Sequence, residues 1–160
     1  MTEMTIEELV LEYSSMLFKI CMVILGNEQD AQDVVQETFC RYIERSPDFN
    51  GREHEKAWLI KVATNGCLDL HRHRKRHPDT SIEDITAYCE LPERSDIVEA
   101  LIKLPDKLKT VIYLHYIEGY KTAEIADMLD ISNSAVKKRL QRGREALRLT
   151  SLPVSFLRQS

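Results

Sequence analysis

Apolar residues in the first part of the chain recur at intervals of three and four, the spacing that lines one face of an α-helix. Leu9, Tyr13, Met16, Leu17, Ile20 and Ile24 make such a stripe between residues 5 and 25, and Gly26 follows as a stop signal. Asn27 can cap a second helix, whose stripe of Ala31, Val34, Val35, Phe39, Tyr42 and Ile43 runs until Ser46-Pro47 breaks it. A polar loop from Ser46 to Arg52 leads into a third helix with Trp58, Leu59, Val62, Ala63, Gly66, Cys67 and Leu70 on its apolar side. That helix closes on the basic string HRHRKRH (71–77), just before Pro78. Amphipathic helices in this order can bury one shared core, so 1–77 is predicted to be a domain.

The periodicity lapses over 78–94, an acidic stretch with prolines near both ends, which reads as a linker. It resumes near Ser95 with Ile97, Leu101 and Leu104, and Pro105 opens a further helix carrying Val111, Ile112, Leu114 and Tyr116. Gly119 is placed to end that helix. Residues 120–148 then read as a helix-turn-helix: Ile125, Ala126 and Leu129 form a packing face, and Asp130-Ile131-Ser132-Asn133 supplies the break. The second helix starts at Ser132, whose hydroxyl can cap a backbone N–H. Val136, Leu140, Gly143 and Leu147 are assigned toward the first helix, leaving Lys137, Lys138, Arg139, Gln141, Arg142 and Arg144 on or near the outward arc. A second domain over 95–150 and a fraying tail over 151–160 complete the expectation. No segment predicts strand, so the fold class is all-α, two small helical domains joined by an acidic linker.

Total charge argues against a nucleic-acid partner, since 22 Lys and Arg face 26 Asp and Glu for a net charge of −4. Its distribution reverses that inference. Residues 97–160 hold eleven Lys and Arg against seven Asp and Glu, whereas 1–75 hold nine against thirteen and 76–96 two against six. Local potential, rather than the sum, steers association with DNA. A cationic helix of this kind fits the major groove, where Arg and Lys reach guanine edges or phosphates and Gln pairs with adenine.

Cys21, Cys40, Cys67 and Cys89 are scattered with no CxxC pair, which predicts reduced thiols and no zinc ribbon. Cys67 and His71 share a helix side, with His73 and His77 nearby, but the remaining ligands of a metal site are not set out at a recognisable spacing. Neither a metal nor a cofactor is expected. The start of the chain, MTEMTIEELVLEY, lacks the cationic beginning of a signal peptide, and the apolar run Ile20 to Leu25 is too short for a bilayer. A cytoplasmic protein without membrane insertion is the expectation.

Three blocks in this order carry a resemblance to a known family. DAQDVVQETFCRYIER (30–45), EKAWLIKVATNGCLDLHRHRKR (55–76) and LPDKLKTVIYLHYIEGYKTAEIADMLDISNSAVKKRLQRGREALR (104–148) resemble the extracytoplasmic-function sigma factors of bacterial RNA polymerase. The resemblance implies that Asp30, Asp33, Gln36 and Glu37 lie on an exposed face that engages a coiled coil of the polymerase's largest subunit. It implies that the second block melts the promoter and reads the minus-10 element, with Asn65 near a pocket for an unstacked base and Arg72, Arg74, Lys75 and Arg76 on phosphates. It implies too that the loop 46–52 shapes that pocket. Trp58 could stack on a base there, although its spacing with Leu59 and Val62 also suits the core. In the third block, Ser134, Lys137, Lys138, Arg139, Gln141 and Arg142 align with minus-35 contacts, Arg139 foremost. The sequence departs from the family pattern at Lys121, where a capping Ser is common and capping can shift to Thr122. Asp130 replaces a frequent Gly, and Ala135 a frequent Thr.

The resemblance further implies core RNA polymerase, promoter DNA and an anti-sigma protein as partners, and a role in initiation without catalysis. Other readings remain open on the residues alone. A stand-alone regulator could use the helix-turn-helix as a dimer on a palindrome, a metal-dependent enzyme could be built on Cys67, His71 and His73, and an adaptor could bind polymerase without DNA.

Overall fold

The computed structural model describes residues 4–45, 47–74, 80–89 and 95–148. Two compact units divide the chain, Met1–Pro78 and Asp79–Ser160. Among the described residues all regular structure is helical.

The first unit contains α1 (Ile6–Leu25), α2 (Glu28–Arg45) and α3 (Arg52–Arg74), which pack against one another pairwise. A capping box starts α1: Thr5 Oγ1 accepts the Glu8 N–H at 3.2 Å and the Glu8 carboxylate accepts the Thr5 N–H at 3.0 Å. Gly26 ends it at φ 64, a left-handed conformation that costs glycine nothing. Leu17, Ile20, Leu59, Ile60 and Ala63 are buried together in the core, and each large apolar side chain so placed contributes about 1.5–3 kcal/mol. Close approach of α2 and α3 depends on Gly66, where an added Cβ would lie 3.1 Å from Val34 Cγ1. Ile43, expected in the apolar stripe of α2, is instead 52% exposed. Thr38 takes an inward place by donating its hydroxyl to the Val34 carbonyl at 2.8 Å.

The stretch expected to be a linker contains a helix, α4 (Ile82–Cys89). Ser81 caps it by accepting the Asp84 N–H at 3.1 Å, and Ile85 is buried. Its eight residues offer little room for periodicity, which is why the pattern missed it. Residues 78–79 and 90–94 of that stretch, and the tail from 149, lie outside the described residues.

α4 packs on α5 (Ser95–Lys103), and α6 (Asp106–Ile112) opens after Pro105. The apolar pattern predicts one continuous helix from there, but after Ile112 the coil widens into a π turn, Tyr113–Ile117. Gly119, at φ 81, reverses the chain, and the Tyr120 N–H bonds the Leu114 carbonyl at 3.0 Å. α7 (Thr122–Leu129) and α8 (Asn133–Arg148) follow. α8 packs against both α6 and α7. Gly143, expected to face α7, lies on α6, where its Cβ position is 2.6 Å from Ile112 Cγ1. Met128 is buried 3% exposed in the α7 core face where Leu129 was expected, and Leu129 is half-buried.

Candidate nucleic-acid and polymerase interfaces

The turn between α7 and α8 is built from local chemistry. Asp130 closes α7 in the left-handed region at φ 56 and ψ 46, a conformation Asp tolerates better than most residues and the reason it can stand in for glycine. Ser132 Oγ accepts the Ala135 N–H at 3.1 Å, so the expected cap forms. At the other end of α7, Lys121 rather than Thr122 holds the cap position, and the Glu124 carboxylate accepts the Lys121 N–H at 3.0 Å. Thr122 is the first helical residue, so the expected shift of capping onto it does not occur.

Burial of Val136, Leu140, Gly143 and Leu147 fixes which side of α8 faces inward. Ser134, Lys137, Lys138, Gln141 and Arg142 are exposed, and Arg139 is half-buried beside them. Gln141 Nε2 reaches Glu145 Oε1 at 3.4 Å. Arg144, expected near the outward arc, turns back: its Nη1 donates to the Tyr116 hydroxyl at 3.1 Å. A capped helix with a row of exposed cations, seated on a second helix through a tight turn, has the geometry of a major-groove reader.

In the first unit, Asp33, Gln36 and Glu37 lie on the exposed arc of α2, and Asp33 Oδ1 accepts from Gln29 Nε2 at 2.9 Å. Asp30, expected on the same exposed face, is buried at 2% exposure. Its N–H is bonded by Asn27 Oδ1 at 2.9 Å, which seats it in the first turn, where a carboxylate is favoured by the helix dipole. Beside the acidic arc, a groove of about 380 Å³ runs between α2 and α3, with Val34, Val62 and Leu70 as apolar lining and Glu37, Arg41 and Asp69 as charged lining. The Glu37–Arg41 pair, at 3.4 Å, is exposed and adds little stability.

Asn65 is exposed on α3. Arg72 is exposed and pairs with Asp69 at 3.7 Å. Lys75 and Arg76, and the side chain of Arg74, lie outside the described residues. Trp58 is half-buried and packs edge-on against Tyr42 and Phe49, both at 5.9 Å between ring centroids, so its ring is largely engaged by its neighbours. Phe49 also stacks on Tyr42 and meets the His54 ring edge-on at 5.3 Å. His54 Nδ1 accepts the Asn50 N–H at 3.1 Å, and the Tyr42 hydroxyl donates to Glu55 at 2.8 Å. These contacts brace the loop before α3. Sequence reasoning passed over Phe49 and His54; the available signal was an aromatic and an imidazole flanking Gly51.

Among the described residues no three His, Cys, Asp or Glu side chains are grouped to hold a metal ion. Cys67 is buried in the core whereas His73 is exposed, so the two do not share an environment. Among the described residues no helix is long and apolar enough to cross a membrane.

Taken together, the geometry defines an all-helical protein with a three-helix unit and a second unit that carries a helix-turn-helix of the kind that reads DNA. Comparison with known proteins narrows the class. Residues 9–77 match the family model of sigma-70 region 2, and residues 94–147 match that of sigma-70 region 4. The chain is 35% identical over 157 residues to the ECF RNA polymerase sigma factor SigW of Bacillus subtilis, a match covering 85% of this chain and 83% of that protein. The structure of CnrH in complex with the cytosolic domain of CnrY superposes with a TM-score of 0.68 at 27% identity, over 90% of this chain and 85% of that one. The sigma factor RpoE of Bartonella quintana, solved with the anti-sigma factor NepR, shares the fold with a TM-score of 0.69 at 19% identity, over 90% and 94% of the two chains. The chain belongs to the extracytoplasmic-function sigma factors of the sigma-70 family, which bind core RNA polymerase and promoter DNA.

Proposed function

We propose that the two units divide the work of initiation: the first binds core polymerase and reads and opens the minus-10 element, and the second reads the minus-35 element. The observation that carries this reading is the segregation of charge between two exposed helix faces. On α8, Lys137, Lys138, Gln141 and Arg142 are exposed and Arg139 is half-buried, while on α2 Asp33, Gln36 and Glu37 form an exposed acidic arc. Cations on the first face suit a polyanion, and carboxylates on the second suit Arg and Lys of a protein partner.

Within this reading Ser134, Lys137, Lys138, Arg139, Gln141 and Arg142 contact the minus-35 element, with Arg139 nearest a base edge. Asn65 meets an unstacked base of the minus-10 element, and Arg72, Arg74, Lys75 and Arg76 meet its phosphates. Asp33, Gln36 and Glu37 engage the polymerase, the adjoining α2–α3 groove receiving apolar side chains of the same partner element. The protein catalyses no reaction of its own and works in the cytoplasm with the polymerase. An anti-sigma protein covers these surfaces when initiation is off; support comes from the Bartonella quintana relative, solved with one.

The test is charge reversal on α2. Asp33→Arg combined with Gln36→Arg should abolish co-purification with core polymerase while the helical circular dichroism stays unchanged. Undiminished co-purification would remove α2 from the interface.

A further inference from the structure

Arg144 is a cation on the DNA-reading helix, yet its side chain is spent inside the protein. Helical period places it one heptad after Lys137 and so on the same side of α8. Lys137 is exposed, whereas Arg144 is half-buried and crosses 28 positions of sequence to donate to Tyr116. Tyr116 is itself only 5% exposed and lies in the π turn that ends α6.

A π turn is an unfavourable coil that persists only where its surroundings hold it. Here side chains tie it on several sides. The Tyr113 hydroxyl donates to Glu118 at 3.1 Å, and His115 Nδ1 bonds the Tyr120 carbonyl at 2.8 Å, which joins the turn to the approach of α7. The widened coil rotates Tyr116 relative to a regular helix and so sets where its hydroxyl stands. Immediately before Arg144, Gly143 rests on Ile112, the last residue before the turn. Two successive residues of α8 are therefore seated on α6 and its π extension, one by close packing and one by a hydrogen bond.

We propose that Arg144 is a positioning residue: its bond to Tyr116 fixes the rotation of α8 about its own axis and thereby aims Arg139 and Gln141 at base edges. Rotation matters because a bidentate contact tolerates little angular error, whereas a phosphate contact tolerates much. Arg144 thus contributes to which sequence is read more than to how tightly DNA is held. This inference rests on the assignment of α8 to the minus-35 element.

The experiment uses the full chain assembled with core polymerase, on a promoter selected by the wild-type holoenzyme from a genomic fragment library and on the same fragment with its upstream element scrambled. Tyr116→Phe keeps every cation and removes the hydroxyl that accepts from Arg144. It should lower the ratio of binding to the two fragments about three- to tenfold, the scale of one side-chain hydrogen bond. Arg144→Met should lower the ratio similarly, the double variant should be no worse than either single one, and Arg144→Lys should restore part of it. The salt dependence of binding should be unchanged in Tyr116→Phe. If Tyr116→Phe is neutral while Arg144→Met weakens both fragments equally and reduces the salt slope by about one phosphate, Arg144 is a phosphate ligand and the proposal fails. Loss of helical signal in Tyr116→Phe at the assay temperature, with binding to the two fragments falling alike and their ratio kept, also overturns it, in favour of a role in stability alone. Arg139→Ala serves as the control: if it leaves the ratio intact, the assignment of α8 is wrong and the positioning claim falls with it, whereas a ratio lost in Arg139→Ala but kept in Tyr116→Phe rejects the positioning claim alone.

Discussion

Tyr13 shows how burial of one residue makes the stability of the first unit depend on pH. The side chain is buried in α1, and its phenol is pushed above the ordinary value of 10.0, chiefly by burial and then by the carboxylates of Glu55 and Glu12. Both effects penalise the phenolate. Folded protein therefore keeps this proton at a pH where the unfolded chain has lost it, and the stabilisation, fully present below pH 10.0, disappears as pH rises beyond it. Denaturant melts taken upward from that pH should show the first unit losing stability, and Tyr13→Phe should flatten the loss. An equal slope in the variant would assign the effect to other groups. Asp30 carries a related lesson about what sequence can reveal. Period alone places it with Asp33 and Glu37, yet it is buried in the first turn of α2, where Asn27 bonds its N–H, while they are exposed.

At the scale of elements, α8 is held where it is by a glycine that helical propensity disfavours. Ala at position 143 would gain about 1 kcal/mol of propensity. Its Cβ, however, would stand 2.6 Å from Cγ1 and 2.8 Å from Cδ1 of Ile112, a fully buried side chain that cannot swing aside from its root. Overpacking of this kind costs about 1–3 kcal/mol, so Gly143→Ala should destabilise the second unit on balance. Combining it with Ile112→Ala should cost less than the two changes summed, which urea titration of the full chain would measure. Stabilisation by Gly143→Ala alone would mean that α8 can slide on α6. The same scale shows why some elements were legible and others were not. Helices α1, α2, α3 and α8 are long enough for their apolar stripes to repeat several times. The eight-residue α4 is not, and the π turn follows an apolar run whose spacing a regular helix would also satisfy.

For the whole molecule, two small units on one chain gain affinity when a third body aligns them, because the second contact is then made at high effective concentration. Alone, the chain has a net charge of −4 and should bind the selected promoter fragment weakly, with steep salt dependence. Adding core polymerase should tighten binding by orders of magnitude in a mobility-shift titration; tight binding by the free chain to a symmetric site would instead favour a stand-alone regulator. Sequence by itself determined the all-helical class, most helix boundaries, the Ser132 cap and the family, since periodicity, caps and motif order are properties of neighbouring residues. Tertiary structure alone decided that Asp30 is buried, that Phe49 and His54 brace the loop before α3, that Gly143 lies on Ile112, and that Arg144 turns back to Tyr116. The Arg144 bond and the Gly143 contact join residues distant along the chain, and even the short-range brace and cap depend on which side of a helix the core claims. An apolar stripe marks the broad core-facing side of a helix, but no local pattern encodes which neighbour a residue at its margin meets, because packing makes that choice.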